Sequence, residues 1–279
     1  MQTPVLSLAG STAGPSASVV NYSSMVGGAV DSSFTATLAN AEHIMPIDGV
    51  FSLLTTLVPA PTGATKSLTI DMMYDGAGTS LATVATDTDS TYKQDTNAAH
   101  NVSVAQGHKV AWRTTPANTP TVGVTSISAL FTATTPGESV IFASASLPTT
   151  ATPVYIPLSD YRGTATTTET VASCVIAADC VIDRLYVNLS GAPGTAASGK
   201  KYNITAYLDG VAQTLTTEIL DTATFNSDLS GAHAITATAG QLLSFESIAT
   251  GTPTARRANI SARVVPTVPG KDRKSTRLN

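Results

Sequence analysis

Charge is what this sequence has least of. Only 12% of its 279 residues are Asp, Glu, Lys or Arg, about half the usual share of a globular chain. Long solvated helices, whose outer faces are normally laced with Glu, Lys and Arg, are excluded on that ground. The formal net charge is −4, and the body of the chain carries no Lys/Arg cluster. Nucleic-acid binding, which needs clustered cations against phosphate, is therefore not expected. Aromatics make up only 5% and cysteines number two, too few for a disulfide scaffold. No apolar run approaches 18 residues, so no membrane span is expected. The N-terminal stretch lacks a basic segment followed by an apolar core, so no secretory signal is expected either. Catalytic signatures are equally scarce: there is no HxH, HxxxH or HExxH, no GxSxG, and no Gly-rich phosphate loop before a helix. The reading is of a protein without a cofactor and not an enzyme.

What is abundant is Thr, Ser, Ala and Gly among 42% hydrophobic residues, a composition that suits short strands on pleated surfaces. The chain also repeats itself. VVNYSSMVGG (Val19 to Gly28) matches VYIPLSDYRG (Val154 to Gly163), and IDGVFSLL matches IDRLYVNL, both at an offset of 135 residues (Ile47 to Ile182). KSLTIDMMYDG matches KYNITAYLDG, closing at 134 (Gly76 to Gly210). HNVSVAQGHKVAW matches HAITATAGQLLSF at 133 (His100 to His233), as does NTPT with GTPT (Pro120 to Pro253). The matches fall on alternating apolar runs and turn residues, as a duplicated β domain requires.

The expected fold is all-β: two tandem β-sandwich, jelly-roll-like domains from an internal duplication. Residues 1–16 read as an N-terminal arm, 17–131 as the first sandwich and 132–151 as a connector with an edge strand. Residues 152–266 read as the second sandwich and 267–279 as a tail. Asp-Gly at Asp75 and Asp209 marks a hairpin in each copy. Leu38–Ile44 is the best helical candidate and is short. Ile47, Val50, Leu68, Ile70, Val102, Val104 and Trp112 are the expected core of the first copy. Ile182, Leu185, Ile204, Ile235 and Phe245 are that of the second.

The second copy's landmarks, IDRLYVNL, GAPGTAASGKKYNITAYLDGVAQTLT, HAITATAGQLLSF and GTPTA, resemble a tandem repeat of uncharacterised phage and environmental structural proteins. They are also similar to the jelly-roll heads of collagen-like spore-surface glycoproteins. The resemblance implies a sandwich that acts through its surface. The last eight residues, Asp272 to Asn279, break the composition and resemble the in-frame translation of a sequencing adapter. They are expected to be no part of the protein, and the source is expected to be metagenomic. Without them the balance is 12 basic against 18 acidic residues, a net charge of −6.

Several residues invite a chemical reading. His100 and His233 are equivalent and precede a strand, where local hydrogen bonding is the plain role. Asp87, Asp89 and Asp95 place oxygen donors at alternating positions like a calcium loop, without its mid-loop Gly and closing Glu. Cys174 and Cys180 bracket five residues; across a tight hairpin they come within disulfide reach, and otherwise they pack as small apolar thiols. Trp112, matched by Phe245, reads as core rather than as a platform for sugar stacking. These features point to a phage virion protein, capsid-decorating, fibre or tail-associated, with itself or other virion proteins as partners. The alternative is an extracellular or cell-surface module whose loops bind a glycan.

Overall fold

A computed structural model describes residues 5–10, 14–26, 34–58, 65–86, 92–123, 125–158 and 164–267. The tail from Asp272 lies outside them. The first half holds β1 (Val5–Gly10), β2 (Asn21–Ser23), β3 (His43–Ile44), β4 (Gly49–Leu57), β5 (Ser67–Tyr74), β6 (Ala77–Thr86), β7 (Lys93–Asp95), β8 (Val102–Val104), β9 (Lys109–Ala117) and β10 (Ser126–Ala133). The second holds β11 (Ser139–Leu147), β12 (Val154–Ile156), β13 (Cys174–Val175), β14 (Cys180–Leu189), β15 (Lys201–Leu208), β16 (Val211–Leu220), β17 (Phe225–Asp228), β18 (Ile235–Ala237), β19 (Leu242–Thr250) and β20 (Arg256–Pro266). Leu38–Ile44, the helical candidate, forms a 3₁₀ turn at Leu38–Asn40 and then β3.

Each half makes two antiparallel sheets, and among the described residues no ladder joins the halves. One sheet of the first half runs β1-β10-β4, with β8 and β7 side by side on the far edge of β4. The other runs β2 and β3, then β9, β5 and β6. The second half repeats this strand for strand: β11-β20-β14 with β18 and β17, and β12 and β13, then β19, β15 and β16. The first strand lies beside the last and the second beside the next to last, the nested order of a jelly roll. The segments expected to be an arm and a connector therefore carry β1 and β11, each paired with the last strand of its half.

Local chemistry explains the turns. Asp75 and Gly76 have φ of 48° and 79°, and Asp209 and Gly210 have 50° and 78°. Positive φ at both central residues is the type I′ hairpin, whose twist matches that of the strands it joins. Gly107 and Gly240 take φ of 85° and 94° at the turn before the next-to-last strand.

Of the expected core, all but Val50 is buried; Val50 is half-exposed and its neighbour Phe51 points inward. The cause is a slip in the sequence match. Phe51 pairs with Val102, and Ile182 with the equivalent Ile235, so the offset in this strand is 131 residues (Phe51 to Ile182), not 135. The bulge residues Leu53 and Arg184, both at φ 51°, keep the same spacing. At that offset Leu185 corresponds to Leu54, beyond the bulge, and the bulge reverses the facing, so Val50 ahead of it points outward while Leu54 is buried. Phe51 packs edge-on to Trp112 (centroids 6.5 Å apart) and against Phe131 (4.9 Å). Trp112 and Phe245 are completely buried in their respective cores.

The halves meet through a polar contact. Asn188, Asn259 and Ser261 are on the outer face of the β11-β20-β14 sheet, yet all are buried, because the segment around β3 lies across them. Asn259 Nδ2 donates to the carbonyls of Asn40 (3.2 Å) and Glu42 (3.0 Å). Asn188 Nδ2 donates to Glu42 O (2.9 Å), and Ser261 Oγ donates to Ile44 O. Beside them Gln106 bridges Tyr186 and Arg184, and Phe142 of β11 joins the core cluster of the first half.

His43 is sealed in this contact, with no exposed surface. Its Nδ1 lies 3.2 Å from Ile260 O. A carbonyl can only accept, so Nδ1 carries the proton; Nε2, buried without a partner, is then the bare acceptor of a neutral ring. Burial pulls its pKa down to about 3; the Ile260 carbonyl opposes this and Arg257 adds to it.

Two outcomes are expected. Phe245→Ala should cost about 3–5 kcal/mol in denaturant unfolding, as an aromatic removed from a closed core. Stability should also fall with acid earlier than carboxylates would cause. His43 stays neutral in the folded chain while the unfolded chain binds a proton below about pH 6.5, so its contribution is whole above that pH and lost below it. The loss should reach about 2 kcal/mol at pH 5. His43→Asn, which keeps a donor and cannot titrate, should flatten the slope between those values; an unchanged slope would contradict the assignment.

Candidate functional site

The charged side chains common to both halves are structural brackets. Asp95 of β7 accepts the N–H of Ala82 on β6 (3.1 Å), the edge strand of the opposite sheet, and that of Asn97 (3.1 Å). His100 Nδ1 is 2.9 Å from the same carboxylate. Asp228 repeats the arrangement with Thr216 N (3.1 Å), Ser230 N (3.1 Å) and His233 Nδ1 (2.8 Å). Ala82 and Thr216 sit where the β5-β6 and β15-β16 ladders shift register. Each carboxylate thus takes an N–H at the break in a ladder and ties one sheet to the other. Burial alone would raise the Asp95 pKa, but the N–H donors and His100 outweigh it and hold the group below the usual carboxylate range. At the hairpins, Asp75 accepts Lys109 N (2.9 Å) and pairs with His108; Asp209 accepts Leu242 N (2.8 Å) and Gln241 Nε2 (2.9 Å). Asp95 is therefore committed to the backbone, while Asp87 and Asp89 of the calcium candidate lie outside the described residues. Among the described residues no group of three or more His, Cys, Asp or Glu could hold a metal ion.

Cys174 and Cys180 do not face each other across a hairpin. Cys174 in β13 pairs with Leu243 in one sheet, and Cys180 opens β14 in the other. They are not joined, and burial pushes the Cys174 thiol up to about 11. Cys174 occupies the place of His43, each being the first residue of an equivalent strand.

The halves differ most on the outer face of the sheet carrying β19. In the first half Leu38, Ala41, Tyr22, Met73 and Ala111 cluster there, beside an ion pair in which Arg113 donates to both oxygens of Asp71 (3.0 and 2.7 Å). In the second half Tyr155 keeps the place of Tyr22, while Tyr207, Ser244 and Glu246 stand at those of Met73, Ala111 and Arg113. Tyr207 donates from its hydroxyl to Glu246 Oε1 (2.9 Å), and Ser244 Oγ donates to Glu169 Oε1 (3.1 Å). The Tyr155 ring stands edge-on to Tyr207, with centroids 5.8 Å apart. Glu169 comes from a single helical turn, Glu169–Ala172, set against β12 and β19. Burial, then Glu246, pushes the Tyr207 hydroxyl up to about 12; it stays a hydrogen-bond donor at neutral pH. Two carboxylates and two tyrosines on one sheet face can accept hydroxyl donors and pack a ring. The sequence reading weighed Trp112 for that role, and Trp112 is in the core. The signal for Tyr207 and Glu246 was available as the disagreement between copies, Met73 standing at the place of Tyr207 and Arg113 at that of Glu246; Tyr155 carries no such signal, because Tyr22 holds its place in the first half.

No protein-family model matches the chain, and no curated protein sequence matches it. Solved structures with similar chains include Broad Bean Stain Virus by cryo-EM (10% identity, 89% of this chain and 88% of that one, TM-score 0.31). Others are the major capsid protein P2 from Bacteriophage PM2 (10%, 95% and 99%, 0.24) and the CBM22-1-CBM22-2 tandem domain from Paenibacillus barcinonensis Xyn10C (9%, 83% and 82%, 0.24). At such scores none of them assigns a function. No helix among the described residues is long and apolar enough to cross a membrane.

If Asp95 and Asp228 are brackets, Asp95→Ala and Asp228→Ala should each cost about 1.5–3 kcal/mol, the range for hydrogen bonds to a charged group. Hydrogen exchange should show the loss at the N–H of Ala82 and Thr216; protection unchanged there would refute the bracket.

Proposed function

We propose that the chain is a structural protein of a phage virion, a capsid-decorating, fibre or tail-associated module that acts through protein–protein contacts rather than chemistry. The observation that carries this reading is the locked pair of jelly rolls: two sandwiches held in one orientation by buried side chain-to-backbone hydrogen bonds. A rigid two-domain block suits an assembly that must repeat one geometry. The commitment of Asp75, Asp95, Asp209 and Asp228 to backbone donors supports the same reading, since it gives those acids a structural task. So does the exposure of the apolar side chains Leu220 and Phe225, which flank the turn between β16 and β17, of the kind that partners cover.

A second reading, an extracellular or cell-surface carbohydrate-binding module, is favoured by the Tyr155, Tyr207, Glu246 and Glu169 face. Self-association separates the two. Sedimentation velocity on the chain lacking its last eight residues should give a closed oligomer, weakened by Phe225→Ser. A monomer at high concentration that binds a glycan array, and loses binding on Glu246→Gln or Tyr207→Ala, would overturn the virion reading for the carbohydrate one.

A further inference from the structure

The two halves can part without breaking either sandwich. Among the described residues no ladder joins them. The chain crosses from β10 to β11 through residues 134–138, a turn with Gly137 at φ 89°. What holds the halves is largely polar: Asn188, Asn259 and Ser261 donate to the carbonyls of Asn40, Glu42 and Ile44, and Gln106 joins Tyr186 and Arg184. Water can replace each of these bonds, so their net hold is weak for their number. His43 stands among them with its ring edge-on to Phe142 (centroids 5.0 Å apart) and Nδ1 on the Ile260 carbonyl (3.2 Å). Phe142 and Ile260 belong to the second half, whereas the strand that carries His43 pairs with β9 of the first. Swinging the halves apart about residues 134–138 would therefore bring water to the unpartnered Nε2 while every ladder stays paired.

The charged groups on the elements packed around this ring are Arg257 and Arg263 of β20, Asp183 and Arg184 of β14, Glu138 ahead of β11, and Glu42 and Lys109 of the first half. Arg263 holds Asp183 and Glu138 (2.7 Å each), and Lys109 holds Glu42 (2.9 Å). His108 is exposed at the hairpin end, where it pairs with Asp75, and stays outside the contact. Burial is the main obstacle to a proton on His43; the Ile260 carbonyl works against it and the like charge of Arg257 adds to it. We infer that His43 is an acid-operated latch: its ring can take a proton only with the halves apart, so acid opens the two-domain block while each sandwich stays folded. In the open chain the ring titrates near 6.5, as in water, and in the closed chain it stays neutral. The latch is whole above that pH and weakens below it, the closed-to-open ratio falling about 30-fold from pH 7.5 to pH 5. Opening bares the outer face of the β11-β20-β14 sheet and the carbonyls of residues 40–44. The latch stands apart from the virion reading and from the Tyr207–Glu246 face.

Hydrogen exchange of side-chain amides, followed by NMR, tests it, because the Nδ2 protons of Asn188 and Asn259 are bonded across the contact. Their protection factors should fall about 30-fold from pH 7.5 to pH 5. At each pH they should lie below those of ladder amides within the sandwiches, such as Ile70 and Ile204. His43→Asn should hold the fall to about threefold or less. Should asparagine leave the contact open at neutral pH, His43→Leu, of similar size and unable to titrate, takes its place. Contact amides protected as strongly as ladder amides would mean that the halves part only on global unfolding, and would overturn the latch. So would a His43 ring that gains its proton while Asn188 and Asn259 stay protected. An undiminished fall in the variants would assign the acid response to Glu42, Glu138 or Asp183 instead.

Discussion

The side-chain amides of Asn188 and Asn259, reaching across to the carbonyls of Asn40 and Glu42, are the contact on which the rest of the molecule depends. The segment they hold has few bonds of its own, a 3₁₀ turn and a two-residue strand. Its carbonyls would otherwise be buried without donors, a cost folded proteins avoid. The same amides convert the outer face of a sheet, normally wet in an antiparallel sandwich, into an interior surface. That accounts for the continuous burial along β14 from Leu185 onward, where β15 alternates. Two domains of modest size become one body without a shared sheet.

Duplication makes the chain its own control. What both halves retain serves the fold: the Asp-Gly hairpins, the left-handed glycines at Gly107 and Gly240, and the carboxylate–histidine brackets at the ladder breaks. What they do not share is free to serve something else. Two places diverge in chemistry: the His43 contact against Cys174, and the tyrosine–glutamate face against Met73, Ala111 and Arg113. Both lie on outer surfaces of the sheets rather than in their cores.

The sequence made the strands, the hairpins and the tandem architecture legible because alternation and turn residues are local signals. Among the described residues ten strands form each half, and the later ones matched at a constant 133-residue offset (Trp112 to Phe245). Around β4 the match failed because Ile-Asp occurs four residues too early in the first copy, at Ile47, and the bulge at Leu53, which reverses the facing between Val50 and Leu54, has no signal in the alternation. The domain contact was illegible for another reason. Asn188 and Asn259 are ordinary polar positions on alternating strands, and nothing near them in sequence marks residues 40–44 as their partner.

The contact between the halves uses a sheet face on one and a strand edge on the other, so it is head-to-tail. A head-to-tail contact between duplicates could in principle continue, a third domain docking on the second and a fourth on the third, until a filament grew. The equivalents across the repeat forbid this. Where the second half offers Asn188, Asn259 and Ser261, the first offers Leu57, Ser126 and Ser128, and where the first inserts His43, the second has Cys174. The two copies have become unlike at the surface where likeness would let them polymerise.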